Sequence, residues 1–135
     1  MTHLLDTSAL LAHYLAEPGA ERVQALFEDD AVVAGASILA LYEFDLRLHQ
    51  LGVDAINRET ELNRYRSLLS EVVDVDKAAR SEAIGLRTSA TAHVAAMDVQ
   101  MAAAAAMKNA TLVHRDPHFA AIPGNFLKQE VLPAK

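Results

Sequence analysis

The chain has 135 residues, 52% hydrophobic and 22% charged, which makes one domain with a sizeable core and excludes a disordered tail. Twelve lysines and arginines against 18 acids leave a net charge of −6, which excludes nucleic-acid binding through general basicity; a phosphate-rich substrate then needs a bound cation or a local basic patch. Cysteine is absent, which removes disulfides, thiolate metal sites and cysteine nucleophiles together and suits a reducing, cytoplasmic setting.

Thr2–Leu5 is a short apolar run ending at Asp6, and it predicts a buried strand. The opening Met-Thr-His-Leu-Leu-Asp does not read as a signal peptide, because no basic stretch leads into a long apolar one. A helix pattern runs from Ala9 to Leu15, with Asp6, Thr7 or Ser8 available as N-cap. Pro18-Gly19 breaks it, and Pro18 can open a second helix through Glu21, Val23, Leu26 and Phe27. Ala31–Ala34 predicts a second strand. A long helix follows from Ser37 to Leu51, with Gly52 as its stop. Asp54 caps a further helix over Ala55–Leu69, and Glu71–Val75 alternates as a third strand. Lys77–Arg87 is helical again. Ala95–Lys108, with five consecutive alanines at 102–106, is the strongest helix former. Its apolar run from Met101 to Met107 is far short of the ~20 residues of a membrane span. Thr111–His114 and Phe126–Leu132 predict the fourth and fifth strands.

Short apolar strands alternating with helices define the α/β class: a central, mostly parallel sheet of four to five strands flanked by helices, in one domain over residues 1–135. In such sheets ligands bind outside the carboxyl ends of the strands. Asp6 follows the first strand, and Asp116 lies two residues beyond the fourth.

Gly-x-Gly-x-x-Gly, a Gly-Lys-Ser/Thr phosphate loop and a Gly-x-Ser-x-Gly elbow are all missing, so dinucleotide, P-loop and serine-elbow chemistry are set aside. Four carboxylates remain, each with a bland local reading. Asp6 serves as a helix cap, or as a metal ligand at the sheet's carboxyl edge. Glu43 shares a narrow polar strip of its helix with Arg47 and Gln50, either as an i,i+4 ion pair or as a carboxylate presented into a cleft. Asp98 favours a helix dipole, while the alanines after it let that helix approach the sheet. Asp116, before Pro117, is a turn or cap signal, and the flanking His114 and His118 read as turn or edge residues.

In order and spacing these segments resemble the PIN-domain proteins, and most closely the VapC-like ribonuclease toxins of type II toxin–antitoxin modules. The likeness rests on Leu5-Asp6-Thr7-Ser8-Ala9, on Tyr42-Glu43-Phe44, on Asp98 heading an alanine-rich helix, and on Leu112 to Phe119; it spans essentially the whole chain. His118 stands where that family often places a second acid. The resemblance implies a three-layer PIN-like fold and a metal-dependent endoribonuclease. It also implies an RNA substrate, a homodimer, and a VapB-like antitoxin that inserts a peptide over the site; on physical grounds that element should carry an arginine, whose fork pairs bidentately with a carboxylate. Asp6 and Asp98 would be the principal ligands, with Glu43 and Asp116 completing the site or orienting water. Like-charged acids brought together raise one another's pKa unless a cation joins them, and hard oxygen donors favour Mg²⁺ or Mn²⁺ over Zn²⁺. Thr7 and Ser8 offer hydroxyls either to a carboxylate or as caps, and Arg47, Arg80, Arg87 and Arg115 are candidates for phosphate contacts. Two rivals compete. One is a non-catalytic α/β interaction domain whose acids are caps and salt-bridge partners. The other is a phospho-acceptor receiver domain, which the single Asp6 and the position of Lys128 disfavour.

Overall fold

Strand and helix alternate throughout the computed structural model, which describes residues 1–135. The order is β1 (His3–Leu5), α1 (Thr7–Tyr14), α2 (Ala20–Glu28), β2 (Ala34–Ser37), α3 (Ile38–Gln50), α4 (Ala55–Leu68), β3 (Glu71–Val73), α5 (Lys77–Ser89), α6 (Ala96–Met107) and β4 (Thr111–His114). A 3₁₀ turn (Pro117–Ala121) and β5 (Gln129–Val131) complete the chain. All five strands are parallel, in the order β3-β2-β1-β4-β5. The α/β expectation holds, and the sheet is wholly parallel.

Alternation along the strands divides the core in two. Leu5, Ala36 and Val113 face a layer holding Leu10, Phe44, Leu48 and Tyr65 from α1, α3 and α4. Leu4 and Leu112 face the other way, onto Leu86, Val99, the alanines of α6 and Phe119. The sheet is thus covered on both faces, as a parallel sheet requires. Ala102–Ala105 are all buried, and their small side chains let α6 lie against β1, β2 and β4. Met101 joins the opposite layer, so the first turns of α6 reach around the sheet edge toward α1 and α3.

Local signals explain most boundaries. Asp6, Ser37, Asp54 and Asp76 cap α1, α3, α4 and α5 through their side chains. Gly52 takes φ +87° just after α3, the left-handed turn that only glycine adopts freely.

The second strand lies three residues later than Ala31–Ala34: it is the weak β-former run Ala-Gly-Ala-Ser. Propensity lost to packing here. A β-carbon at Gly35 would meet the Met1 side chain and come within 2.9 Å of the Glu71 carbonyl, so the bulkier Val32 and Val33 cannot fill this central strand. Val33 instead accepts hydrogen bonds from Thr2 and His3 at the ladder's start. No helix is long and apolar enough to cross a membrane.

Candidate active site

Strand order fixes where the site falls. The chain steps outward from β1 to β2 and β3, then returns to place β4 on the other side of β1. The crevice beyond the carboxyl ends of β1 and β4 is therefore the topological switch point, where ligands bind in open α/β sheets. Asp6 leaves β1 there, and Asp116 leaves β4.

Asp6 is buried, with 3% of its surface exposed. Its Oδ1 accepts from the Ala9 amide at 3.0 Å and from the Ser8 hydroxyl at 2.6 Å; its Oδ2 has no partner and keeps contact with solvent. Burial pushes its pKa up to about 7, Ser8 and Ala9 pull against that, and Asp98 and Asp116 push further upward. Ser8 also accepts the Arg115 amide at 2.8 Å, so one hydroxyl ties the start of α1 to the segment after β4.

Glu43 does not pair with Arg47. Its Oε1 accepts the Thr7 hydroxyl at 2.7 Å, which joins α3 to α1; Thr7 Oγ1 also lies 3.8 Å from the sulfur of Met101 in α6. Both hydroxyls of the Thr-Ser pair thus serve carboxylates, and capping falls to Asp6 alone. Asp98 lies in the first turn of α6, where Ala95 is the N-cap, and makes no hydrogen bond to the protein. Burial raises its pKa, and Asp116 and Glu43 raise it further, while His118 opposes them.

Asp116 caps the 3₁₀ turn, accepting the His118 amide at 2.9 Å, and its Oδ1 lies 3.0 Å from the exposed His118 ring. Its own amide donates to His114 Nδ1 at 3.1 Å, so neutral His114 carries its proton on Nε2 and gives it to Gln129 Oε1 at 2.8 Å. Burial holds the His114 pKa below its ordinary value, despite Gln129 and Asp116. His114 is a strand-edge post that aims the Asp116 turn.

The four acids gather at one pole, yet no three carboxylate or imidazole groups stand close enough to hold an ion unaided. That departs from the tight convergence the sequence implies. Asp6, Glu43 and Asp116 each turn one oxygen to a hydroxyl or amide donor, and the like charges stand apart. No lysine or arginine pairs with any of the four. Arg115 is not available to phosphate: its guanidinium binds Glu17 at 2.9 Å and the Pro18 carbonyl at 3.3 Å. Ser8, Thr7 and His114 tie the site together across 107, 36 and 15 residues of chain, which no local pattern encodes.

Comparison with known proteins agrees with this fold. The PIN domain family model matches residues 3–125, and the chain belongs to the PIN-domain family. No curated protein matches it in sequence. Among solved structures it is similar to VapBC2 from Rickettsia felis bound to a fragment of its promoter DNA, with a TM-score of 0.78 and 21% identity over 98% of this chain and 100% of that one. It is similar to VapC20 from Mycobacterium tuberculosis, a toxin that cleaves the sarcin-ricin loop: TM-score 0.72, 18% identity, 98% and 100% of the chains. A toxin–antitoxin complex from Klebsiella pneumoniae gives 0.71 and 19% over 91% and 94%.

Proposed function

We propose that this chain is a metal-dependent endoribonuclease and the toxin of a type II toxin–antitoxin pair, acting through Asp6, Glu43, Asp98 and Asp116. The observation that carries this reading is the division of labour on each carboxylate. Asp6, Glu43 and Asp116 each commit one oxygen to a hydroxyl or amide and leave the other without a protein partner; Asp98 leaves both. Acids used only as caps have no need to gather at one pole, and the interaction-domain reading does not account for that gathering.

The donor set fits a hard divalent cation. It offers only oxygen, apart from the exposed His118, and an ion such as Mg²⁺ keeps several waters while taking one or two carboxylates. Asp6 and Asp98 are the residues to hold it. When bound, the ion supplies Lewis-acid polarisation of a phosphate oxygen and a water of lowered pKa. Glu43, held by Thr7, and Asp116, held by its turn, would complete the site or orient the attacking water. Mn²⁺ suits the same oxygens as a substitute.

Family likeness supports the biological setting: solved neighbours include VapBC assemblies and a toxin–antitoxin complex. Two protein partners follow. One is a second copy of the chain. The other is a VapB-like antitoxin whose arginine pairs with these carboxylates in place of the cation, which a planar charged fork does well. The test is calorimetric titration of Mn²⁺ and Mg²⁺ beside cleavage of a labelled RNA. Binding and cleavage in the wild type, both lost in Asp98→Asn, support the reading. A wild type that binds neither metal overturns it.

A further inference from the structure

A cavity of about 420 Å³ lies between α5 and α6, and none of the four acids lines it. That is within the roughly 300–1,000 Å³ of sites for small molecules. Ile84 and Val94 give it apolar walls, although Ile84 sits 70% exposed on an otherwise polar helix surface. Arg80, Arg87 and His93 line it, and no acidic side chain does. In a chain with 18 acids and 12 bases that is a local reversal of charge. Neither arginine is neutralised: Arg22, Arg58, Arg64 and Arg115 pair with carboxylates, whereas Arg80, like Arg47 and Arg66, makes no ion pair and Arg87 reaches only the His93 ring at 3.3 Å.

Gln100 adds a second, independent observation. It lines the same groove, and its amide nitrogen is closed to solvent with no hydrogen-bond partner, the one such buried side-chain atom in the chain. Unpaired buried donors are rare in folded proteins and mark a place where something is missing. Gln100 follows Asp98 by two residues, so the two side chains leave α6 about 200° apart and only ~3 Å apart along its axis. A strand whose reacting phosphate sat at the acids would have to cross the first turns of α6 to enter this groove.

We infer that the α5–α6 groove seats a nucleotide of the RNA strand being cut, with Arg80, Arg87 and His93 taking phosphate and the half-buried Gln100 side chain bordering the base. The inference rests on the ribonuclease reading and names where that substrate lies. Ile84 and Val94 offer the apolar contact a base face accepts whatever its identity.

The experiment measures binding of a fluorescein-labelled single-stranded RNA across salt concentrations, with chelator present so that nothing is cut. Neutralising two phosphates contributes about 1.4 to the slope of log affinity against log salt. Arg80→Ala/Arg87→Ala should lose that amount, and the double lysine variant should recover it. Gln100→Leu should keep the slope and, with Mn²⁺ restored, shift the sequences cut in a randomised RNA pool. A double alanine variant with the wild-type slope overturns the groove, as does a Gln100→Leu cutting pattern identical to wild type. The same variant sedimenting as a smaller species, its RNA binding intact, assigns the groove to a second copy and also overturns the inference. A wild type that shows the arginine-dependent slope but never cuts RNA removes the nuclease reading and keeps the groove as an RNA seat.

Discussion

Asp6 and Glu17 flank the same helix, and both meet the segment after β4, yet their surroundings are opposite. Glu17, just beyond α1, lies between Arg115 at 2.9 Å and Lys135 at 2.9 Å, and these cations hold its pKa below the ordinary value. Asp6, at the start of α1, touches only neutral donors, and burial drives its pKa up to about 7. Arg115 links the two places. Its amide goes to Ser8 beside Asp6, and its guanidinium turns away to Glu17. A cation lies within reach of the acidic pole and is spent on a brace elsewhere. One carboxylate is matched by cations; the other has none beside it.

The widest break in that contrast comes from removing the uncompensated charges. Asp6→Asn and Asp98→Asn should abolish metal-dependent RNA cleavage, since an amide is a poor ligand for a hard cation. Both variants should stay folded, because each removes a like charge from the pole. Cleavage at the wild-type rate by either variant, with Mg²⁺ present, makes that residue a mere cap.

Stability against pH sharpens the same point. Asp6 has a folded pKa above its unfolded one, so the native state holds an extra proton between about pH 4 and 7, and stability falls as pH rises through that window. The shift corresponds to up to about 4 kcal/mol in metal-free protein. Asp6→Asn should lose that dependence, and Mn²⁺ should restore stability to the wild type at pH 7. Denaturant melts at pH 5 and 7.5 measure both, and parallel losses in wild type and variant would count against the buried, unpaired Asp6.

How much of this could be read along the chain differs between fold and site. The strand–helix alternation and the caps at Asp6 and Asp54 are local signals, and they placed the elements well. β2 escaped because Gly35 is demanded by Met1 and the Glu71 carbonyl, neither a neighbour in sequence. All four acids stood out by type and spacing, yet each had an equally good local reading as a cap or surface pair. Only tertiary contact decides among them: Thr7 on Glu43, Ser8 on both Asp6 and Arg115, His114 beneath the Asp116 turn. Arg115 shows the converse. Its position beside Asp116 made it a candidate for phosphate, and Glu17, 98 residues away in sequence, claims it.

The brace should fail in a different way from the site. Arg115→Ala leaves Glu17 in a half-buried place with Lys135 alone, and the loss of a charge-assisted pair should cost about 1–2 kcal/mol. Metal affinity should hold within about twofold, because Arg115 reaches Ser8 through its backbone, which alanine keeps. Calorimetry showing weakened metal binding at unchanged stability would reverse the roles assigned to the two ends of α1.

The smallest effect lies in the support of a single oxygen. Thr7→Val keeps the shape of the side chain and removes the proton that Glu43 Oε1 accepts at 2.7 Å. Glu43 then keeps its charge but not its aim. Groups that orient a metal site's carboxylates commonly contribute 10–100-fold to metal affinity or activity, and a residue placed to orient water sits at the low end, about tenfold. That loss should fall on turnover more than on substrate binding, since neither Thr7 nor Glu43 is placed to grip phosphate. Thr7→Ser, which restores a hydroxyl, should recover most of it. A valine variant as fast as wild type means that Glu43 is held by the packing of α3 alone, and the hydroxyl is then only a bond between helices.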